Sequence, residues 1–193
     1  MVRTGDGPNQ PVKLLRKHIN NAKLLVDRYE QLERLPKNGV VVEIGVSKGF
    51  YSEEILKINN PKKLYLVEIS KSHCDNLKKK FSKEINEGRV VVINESSFSA
   101  HKHFEDKYFD WIYIDGGHDY NSVFKDTYNF LPKIKEDGFM VQNDYILHDY
   151  VINVQYGTMH VINEFCLKED WEIIYYTLAT NDFKDVVLKK IKN

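Results

Sequence analysis

The sequence predicts an α/β fold with a doubly wound, mostly parallel sheet of seven strands. Short, continuously apolar segments alternate with segments of helical periodicity between residues 40 and 144, which is typical of a parallel sheet buried on both faces. The last two predicted strands, WEIIYYTL and KDVVLKKI, are separated only by the segment ATND. Because no crossover helix fits between them, they should form an antiparallel hairpin.

Five strands precede this hairpin along the chain. The strand segments are residues 40–45, 63–69, 89–94, 110–115 and 139–144. Helices are predicted at 50–58, 70–85, 120–134 and 158–168. Ser70 and Asp119 are suitable N-terminal caps for two of these helices. This arrangement places the carboxyl ends of the parallel strands along one edge of the sheet, where open α/β sheets bind ligands.

The segment before the first strand divides into two parts. Residues 1–10 are polar and contain Gly and Pro, which predicts a flexible arm. Within residues 11–36, apolar side chains recur every three or four positions from Val12 to Tyr29, which predicts one helix of about six turns. The apolar stripe of this helix could pack on the predicted sheet domain, residues 37–193, or contact a second copy in a homodimer.

Composition limits the location and the partners of the protein. The 193 residues include 28 basic and 28 acidic side chains, so no net charge attracts the chain to nucleic acid or to an anionic membrane. Cys74 and Cys166 lie far apart, and the N-terminus contains no apolar signal segment. We therefore expect a cytoplasmic protein with a small-molecule ligand.

A glycine loop follows the first strand. The segment EIGVSKG supplies Glu43, Gly45 and Gly49 where α/β sheets bind nucleotides. Its G-x-x-x-G spacing matches neither the dinucleotide fingerprint nor the phosphate-binding P-loop. The loop suits a ligand that passes close to the backbone, and Glu68, at the end of the second strand, is placed to bind a ribose diol. The sequence therefore predicts a nucleoside site without a pyrophosphate.

These features resemble the class I S-adenosylmethionine-dependent methyltransferases. The motifs most similar to the small family of macrocin-type O-methyltransferases are VVEIGVSKG, Glu68, NESS at 94–97, DWIYIDGGHDY and NDY at 143–145. The resemblance implies S-adenosylmethionine as the cofactor and the strand order 3-2-1-4-5-7-6. It implies that Gly45 and Gly49 lie near the methionine part, and that Glu95 and Ser96 lie beside the adenine. Asn-Glu-Ser replaces the usual Gly-Asp-Ser at that last position.

Polar residues at the ends of the fourth and fifth strands predict the chemistry. Asp115 ends the fourth strand, and Asn143 and Asp144 end the fifth. Because these strands are adjacent in the sheet, the three side chains should converge beside the cofactor and form an oxygen site that suits Mg²⁺. Asp115 is a candidate contact for both the metal and the cofactor. His118 is the candidate general base, in the position where macrocin-type enzymes have a histidine; those enzymes have two acids where this chain has Asn143 and Asp144.

The predicted reaction is methyl transfer to a hydroxyl of a small molecule, such as a sugar or a natural product, with a divalent metal as an assistant. One alternative is an N-methyltransferase of the same fold, whose amine acceptor needs no metal. Another is a NAD-dependent dehydrogenase or a nucleotide-binding module. Among the other histidines, His101 and His103 are predicted at the surface, and His148 and His160 near the acceptor.

Overall fold

The computed structural model describes residues 10–178 and 184–192, so nine residues of the predicted arm lie outside the described part. The strands are, in chain order, β1 Lys23–Leu25, β2 Val40–Ile44, β3 Lys63–Val67, β4 Val90–Ile93, β5 Phe109–Ile114, β6 Ile134–Gln142, β7 His148–Asp149, β8 Val154–Gln155, β9 Trp171–Thr177 and β10 Val186–Lys190. The α-helices are α1 Arg28–Arg34, α2 Phe50–Glu54, α3 Lys71–Lys80, α4 Ser82–Asn86, α5 Ser97–Ala100, α6 Tyr120–Phe130 and α7 Thr158–Glu169.

Eight strands form one sheet in the order β1-β9-β10-β6-β5-β2-β3-β4, and β7 pairs with β8 in a separate hairpin. Neighbouring strands of the large sheet are parallel except at β10, which is antiparallel to both β6 and β9. Apart from β1, this is the predicted strand order with the predicted C-terminal antiparallel hairpin, and both are confirmed. The predicted turn of that hairpin, 179–182, lies outside the described residues.

The N-terminal segment is the part of the fold that was predicted wrongly. In place of one helix over 11–36, the chain forms a 3₁₀ turn at Arg16–His18, then β1, then α1. β1 lies at the edge of the sheet, parallel to β9, and is an eighth strand where seven were predicted. Asn20 and Asn21 are weak helix formers, and Asp27 starts a new helix because its carboxylate accepts from two backbone N–H groups of α1.

The helices around the sheet begin where their caps predicted. The Ser70 hydroxyl accepts from the backbone N–H of His73 at the start of α3, and the Asp119 carboxylate accepts from two backbone N–H groups at the start of α6. The helix predicted over 70–85 is divided at Phe81 into α3 and α4. Both predicted caps are confirmed. The helix predicted over 120–134 ends at Phe130, whereas the one predicted over 158–168 has its expected extent to within one residue.

Apolar side chains cover both faces of the sheet. In β5, Ile112 and Ile114 belong to the cluster on one face, and Trp111 and Tyr113 belong to the cluster on the other, as alternate residues of a strand do. All four are buried. Because both faces are packed, the carboxyl edge of the sheet is where polar side chains can gather around a ligand.

Candidate active site

A cavity of about 430 Å³ lies at the carboxyl ends of β2, β3 and β5. Its volume is within the range of small-ligand sites. Five of the seven residues predicted to bind the cofactor line this cavity, namely Gly45, Glu68, Glu95, Ser96 and Asp115. The fold therefore brings four separate segments of the sequence together around one space, which we call the cofactor cavity.

Gly45 allows two strand ends to approach each other. Its φ is +83°, and a Cβ at this position would lie 1.9 Å from the carbonyl oxygen of Asp115. Any L side chain would strain the backbone and collide with the end of β5. The glycine therefore sets the short distance between the loop after β2 and Asp115.

Glu68 is fixed by backbone donors. Its Oε2 accepts from the N–H of Ser47 at 2.8 Å, and its Oε1 accepts from the N–H of Ser70 at 2.7 Å. The residue is 7% exposed and lines the cofactor cavity. Each carboxylate oxygen has a second lone pair, so Glu68 can accept hydrogen bonds from two adjacent hydroxyls of a ligand.

Two predicted cofactor contacts do not line this cavity. The Glu43 carboxyl is buried and accepts from the Ser52 hydroxyl, and burial raises the pKa of Glu43 to about 8. A Cβ on Gly49 would lie 2.6 Å from the Leu77 side chain, so this glycine is needed for packing against α3. The prediction located the correct loop, but Glu43 and Gly49 stabilise the loop rather than face the ligand.

The predicted adenine contacts have partners within the protein. The Ser96 hydroxyl accepts from the backbone N–H of Phe98 at 3.3 Å and caps α5. Glu95 Oε1 is 2.8 Å from His103 Nε2, and Glu95 Oε2 accepts from the Ser99 hydroxyl at 3.2 Å. Both residues line the cavity, but the Glu95 carboxylate would bind the adenine ring only after its contact with His103 is broken.

The side chains predicted for catalysis come together next to this cavity. His118 Nε2 is 3.1 Å from Asn143 Oδ1, 3.5 Å from Asp144 Oδ2 and 3.6 Å from Asp115 Oδ1. The His118 ring stacks on Tyr156, with the ring centroids 4.5 Å apart. Oxygens from the ends of β5 and β6 therefore surround one imidazole nitrogen, as the strand order predicted.

A buried network orients Asn143. Its Nδ2 donates to Asp185 Oδ1 at 3.0 Å and to the Tyr113 hydroxyl at 3.2 Å. Asp185, which is fully buried, pairs with Arg28 at 3.1 Å. Because the Asp185 carboxylate only accepts, Asn143 turns its Nδ2 toward Asp185 and its Oδ1 toward His118.

This orientation decides which nitrogen of His118 carries the hydrogen. Since Asn143 Oδ1 only accepts, His118 Nε2 donates, and Nδ1 is the basic nitrogen of the neutral ring. Burial lowers the pKa of His118 below its ordinary value of 6.5, and the hydrogen bond to Asn143 opposes this shift. At neutral pH, His118 is therefore an uncharged imidazole that can accept a proton at Nδ1.

Asp144 combines a strained backbone with a carboxyl oxygen that has no donor among the described residues. Its φ is +51°, a conformation that costs a non-glycine residue on the order of 1 kcal/mol. The side chain is buried, and no donor among the described residues reaches its Oδ1. Burial, together with the negative charge of Asp185, raises the pKa of Asp144 to about 7. Such strained and unsatisfied carboxylates concentrate at functional sites.

Asp144 also lines a second cavity, of about 510 Å³, which we call the acceptor cavity. All of residues 144–152 line it, and further apolar walls come from Met159 and Tyr176. His148, predicted near the acceptor, and Lys184 add polar groups. Asp115 borders the cofactor cavity and Asp144 borders the acceptor cavity, and both carboxyl groups lie within 3.6 Å of His118 Nε2.

The remaining histidines do not form a second site. His160 and His148 line a smaller groove beside Tyr156. The ring of His101 packs against Phe130, with centroids 6.2 Å apart, and His103 pairs with Glu95. In residues 10–178 and 184–192, no group of three or more His, Cys, Asp or Glu side chains is placed to hold a metal ion.

No helix within the described part of the chain is long and apolar enough to cross a membrane.

The residues that the sequence did not reveal are of two kinds. The network that orients Asn143 is formed by Arg28, Tyr113 and Asp185, which come from three distant segments. Asp126, on α6, lines the cofactor cavity. Arg28, Asp185 and Asp126 belong to no predicted motif. Tyr113 lies within DWIYIDGGHDY but was given no role there, so only the folded arrangement shows what these residues contact.

Known proteins share a sequence family and a fold with this chain. The family described as "Methyltransferase domain" matches residues 42–145, more than half of the chain. Ribosomal RNA small subunit methyltransferase A from Sulfurihydrogenibium sp. is 37% identical over 73 residues, which are 38% of this chain. The matched stretch spans only 28% of that relative's length.

Solved structures of low sequence identity have the same fold. A protein from Sulfolobus solfataricus assigned as a type 11 methyltransferase has a TM-score of 0.62 and 21% identity, covering 81% of this chain and 86% of its own. The M1A22 tRNA methyltransferase TrmK of B. subtilis has a TM-score of 0.64 and 14% identity, covering 87% and 67%. A protein from Streptococcus mutans assigned as a methyltransferase, in complex with S-adenosylhomocysteine, has a TM-score of 0.64 and 12% identity, covering 85% and 96%.

The Rossmann-like, mostly parallel α/β fold of this chain is shared with these solved methyltransferase structures. The chain belongs to the methyltransferase family whose domain matches residues 42–145. This membership supports methyltransferase activity and sets aside the alternative of a NAD-dependent dehydrogenase.

Proposed function

We propose that this chain transfers a methyl group from S-adenosylmethionine to a hydroxyl of a small molecule. The proposal rests on the position of His118, which lies 3.6 Å from Asp115 at the cofactor cavity and 3.5 Å from Asp144 at the acceptor cavity. A molecule in the acceptor cavity would meet the cofactor at this cluster. The resemblance to macrocin-type O-methyltransferases, with a histidine in this position, points to the same reaction.

The cofactor supplies a methyl group on a positively charged sulfur. Glu68 would hold the ribose hydroxyls, since both of its oxygens are fixed by backbone donors and face the cavity. Gly45 lets the loop after β2 approach Asp115, where the methionine part would lie. These residues hold the reactants in place, and positioning supplies much of the rate of such a displacement.

His118 would act as the general base. When the acceptor oxygen bonds to the methyl carbon, the carbon–sulfur bond breaks and the hydroxyl proton must leave. Nε2 already donates to Asn143, so Nδ1 takes the proton. The imidazolium that results lies beside Asp115 and Asp144, whose carboxylates stabilise its charge.

The arrangement does not fit the predicted Mg²⁺ site. The oxygens of Asp115, Asn143 and Asp144 surround His118 Nε2, and Asn143 Oδ1 is hydrogen-bonded to it. Mg²⁺ needs about six oxygen ligands at about 2.1 Å in an octahedron. We therefore assign no step to a metal and expect methyl transfer to be unchanged by a chelator. Loss of activity that added Mg²⁺ restores would contradict this assignment.

Charge and cavity size favour a small acceptor over RNA. Several of the similar proteins act on ribosomal or transfer RNA according to their names. RNA binding needs a basic surface for the phosphates, whereas this chain has no net charge and its site carries Asp115, Asp119, Asp144 and Asp149. A cavity of about 510 Å³ accommodates a sugar or an aromatic ring. We propose a sugar or natural-product hydroxyl, with no nucleic-acid or membrane partner.

A methyl-acceptor screen tests the proposal. The chain is incubated with methyl-labelled S-adenosylmethionine and separate pools of hydroxylated sugars, phenols, amines, transfer RNA and ribosomal RNA. Label is expected in a hydroxyl compound. Label confined to amines would instead establish the N-methyltransferase alternative, and label in RNA would overturn the small-molecule acceptor.

Two further predictions concern the surroundings of the protein. Cys74 and Cys166 are free and buried, which agrees with a reducing compartment, and we propose a cytoplasmic location. The homodimer contact was predicted from a helix over 11–36 that the chain does not form, so that argument for a dimer is lost.

A further inference from the structure

The turn between β7 and β8 exposes three large apolar side chains in succession. Tyr150, Val151 and Ile152 are 87%, 83% and 61% exposed, and they lie directly after the end of β7. Turns of this kind ordinarily carry Gly, Asn, Asp or Ser. Adjacent exposed apolar side chains are typical of a surface that contacts something else. We call residues 150–152 the apolar turn.

The apolar turn is held in place by polar contacts of its own hairpin. Asp149 Oδ1 accepts from the backbone N–H of Val151 at 2.7 Å and from that of Ile152 at 3.2 Å. The ring of Tyr150 packs edge-on against His148, with the ring centroids 4.6 Å apart. The three apolar side chains are therefore exposed by a built turn, because the Asp149 carboxylate fixes the backbone that carries them.

The same carboxylate connects the apolar turn to the proposed base. Asp149 Oδ2 accepts from the Tyr156 hydroxyl at 3.2 Å, and the Tyr156 ring stacks on the ring of His118. The backbone N–H of Gly157 donates to the carbonyl oxygen of His118 at 2.7 Å. The position of the turn relative to His118 is therefore set by a chain of direct contacts.

All three residues of the apolar turn also line the acceptor cavity. Side chains that line a cavity and are highly exposed lie at its mouth. Met159 and Tyr176, which pack against the hydrophobic core, line the same cavity. A free sugar would leave the apolar turn in water, whereas an apolar group lying on it removes both surfaces from water, which is favourable.

We propose that the methyl acceptor is amphipathic, with its hydroxyl beside His118 and an apolar substituent of several carbon atoms across the apolar turn. The turn thus selects the acceptor by its apolar part, while the cluster around His118 acts on its hydroxyl. This substrate class rests on the proposed methyl transfer to a hydroxyl, and it excludes a free sugar as the acceptor.

The test uses 1-alkanols from propanol to octanol as probes, since each combines a hydroxyl with an apolar chain. Each alkanol is titrated into the ¹⁵N-labelled chain, and the amide shifts of Val151 and Ile152 give its Kd. The Kd of wild type should fall by about two- to fourfold for each added CH₂ that the turn covers.

Two valines of the same hairpin form a matched pair of variants. V151N should weaken octanol binding by about threefold or more and leave propanol binding nearly unchanged. Val154 is 46% exposed but lines neither cavity, so V154N should keep the wild-type dependence on chain length. Should V151N disturb the hairpin, visible as shifted amide signals of Leu147 and Tyr156, I152N takes its place and must give the same selective loss.

A flat series in wild type, or equal losses in V151N and V154N, would overturn the proposal. Other occupants of the apolar turn are measured directly. A wild-type dimer in ultracentrifugation that V151N dissociates would assign the turn to a second copy, and binding to phosphatidylcholine vesicles that V151N abolishes would assign it to a bilayer; either result overturns the amphipathic acceptor.

The alkanol titration involves no methyl transfer, so its outcome is separate from that of the acceptor screen. A flat alkanol series together with a methylated hydroxyl compound refutes the apolar substituent alone. A steep series without methylation of any hydroxyl compound refutes the proposed function, and with it the amphipathic acceptor, and leaves only an apolar binding surface at the turn.

Discussion

The cofactor cavity and the acceptor cavity are built in different ways. The cofactor cavity is formed by strand ends and by the loops directly after them, with Glu68 fixed by two backbone N–H groups. The acceptor cavity is formed mainly by residues 144–152, after the last central strand, with Lys184 from a distant segment. The first cavity is defined by the sheet, and the second is defined by a hairpin and its neighbours.

This difference explains why one reactant is easier to infer than the other. The position of a side chain at a strand end follows from the sheet order, so its neighbours can be predicted. A loop and hairpin wall depends on tertiary packing and carries little pattern of its own. The fold therefore supports the proposed cofactor class, while the acceptor must be found by experiment.

The largest expected effect is at His118, the proposed general base. Replacement His118→Ala removes the base but leaves the cofactor wall intact, so turnover should fall by about 10²-fold or more. S-Adenosylhomocysteine affinity, measured by calorimetry, should stay at the wild-type value. Added imidazole should restore part of the turnover if the ring acts as a base. Near wild-type turnover in the variant would remove His118 from the mechanism.

A smaller effect is expected at Glu68 in the cofactor cavity, for which the buried Glu43 on the neighbouring strand is a matched control. Replacement Glu68→Gln should weaken S-adenosylhomocysteine binding by about 10- to 100-fold, because a charge-assisted hydrogen bond to the ribose is lost. Replacement Glu43→Gln should leave the affinity unchanged, since Glu43 lies outside the cavity and its pKa of about 8 keeps it mostly neutral at pH 7. Equal losses of S-adenosylhomocysteine affinity in both variants would show that the ribose contact is assigned incorrectly.

The sequence predicted what depends on periodicity and strand ends. The strand order, the caps Ser70 and Asp119, and the gathering of Asp115 with His118 all follow from apolar strands in a known order. It did not predict β1, because three residues are too short to show strand periodicity and the surrounding stripe matched a helix. The pairing of Asp185 with Arg28 could not be predicted either, since these residues are distant in sequence and only the packed structure brings them together.

The smallest expected change in turnover comes from Asn143, which orients His118 without contacting either reactant in the proposed mechanism. Replacement Asn143→Leu removes the acceptor for His118 Nε2, so the ring can also carry its hydrogen on Nδ1. Only the fraction with a basic Nδ1 remains competent, and turnover should fall by less than about tenfold. A loss as large as that of H118A would indicate that Asn143 does more than select the tautomer.

Replacement Tyr113→Phe is the control for Asn143→Leu. It removes one partner of Asn143 but leaves Asp185 to orient the amide. The tautomer of His118 should therefore be preserved in this variant, as nitrogen chemical shifts would show. A change of tautomer in Y113F would mean that the Tyr113 hydroxyl, and not Asp185, decides the orientation.

The most direct test of the His118 assignment needs no knowledge of the acceptor. In ¹⁵N-labelled wild type, at a pH above the lowered pKa of His118, the two ring nitrogens have distinct chemical shifts that report which one carries hydrogen. We predict a protonated Nε2 and a bare Nδ1. A protonated Nδ1 would contradict the account, because the nitrogen meant to receive the acceptor's proton would already be occupied.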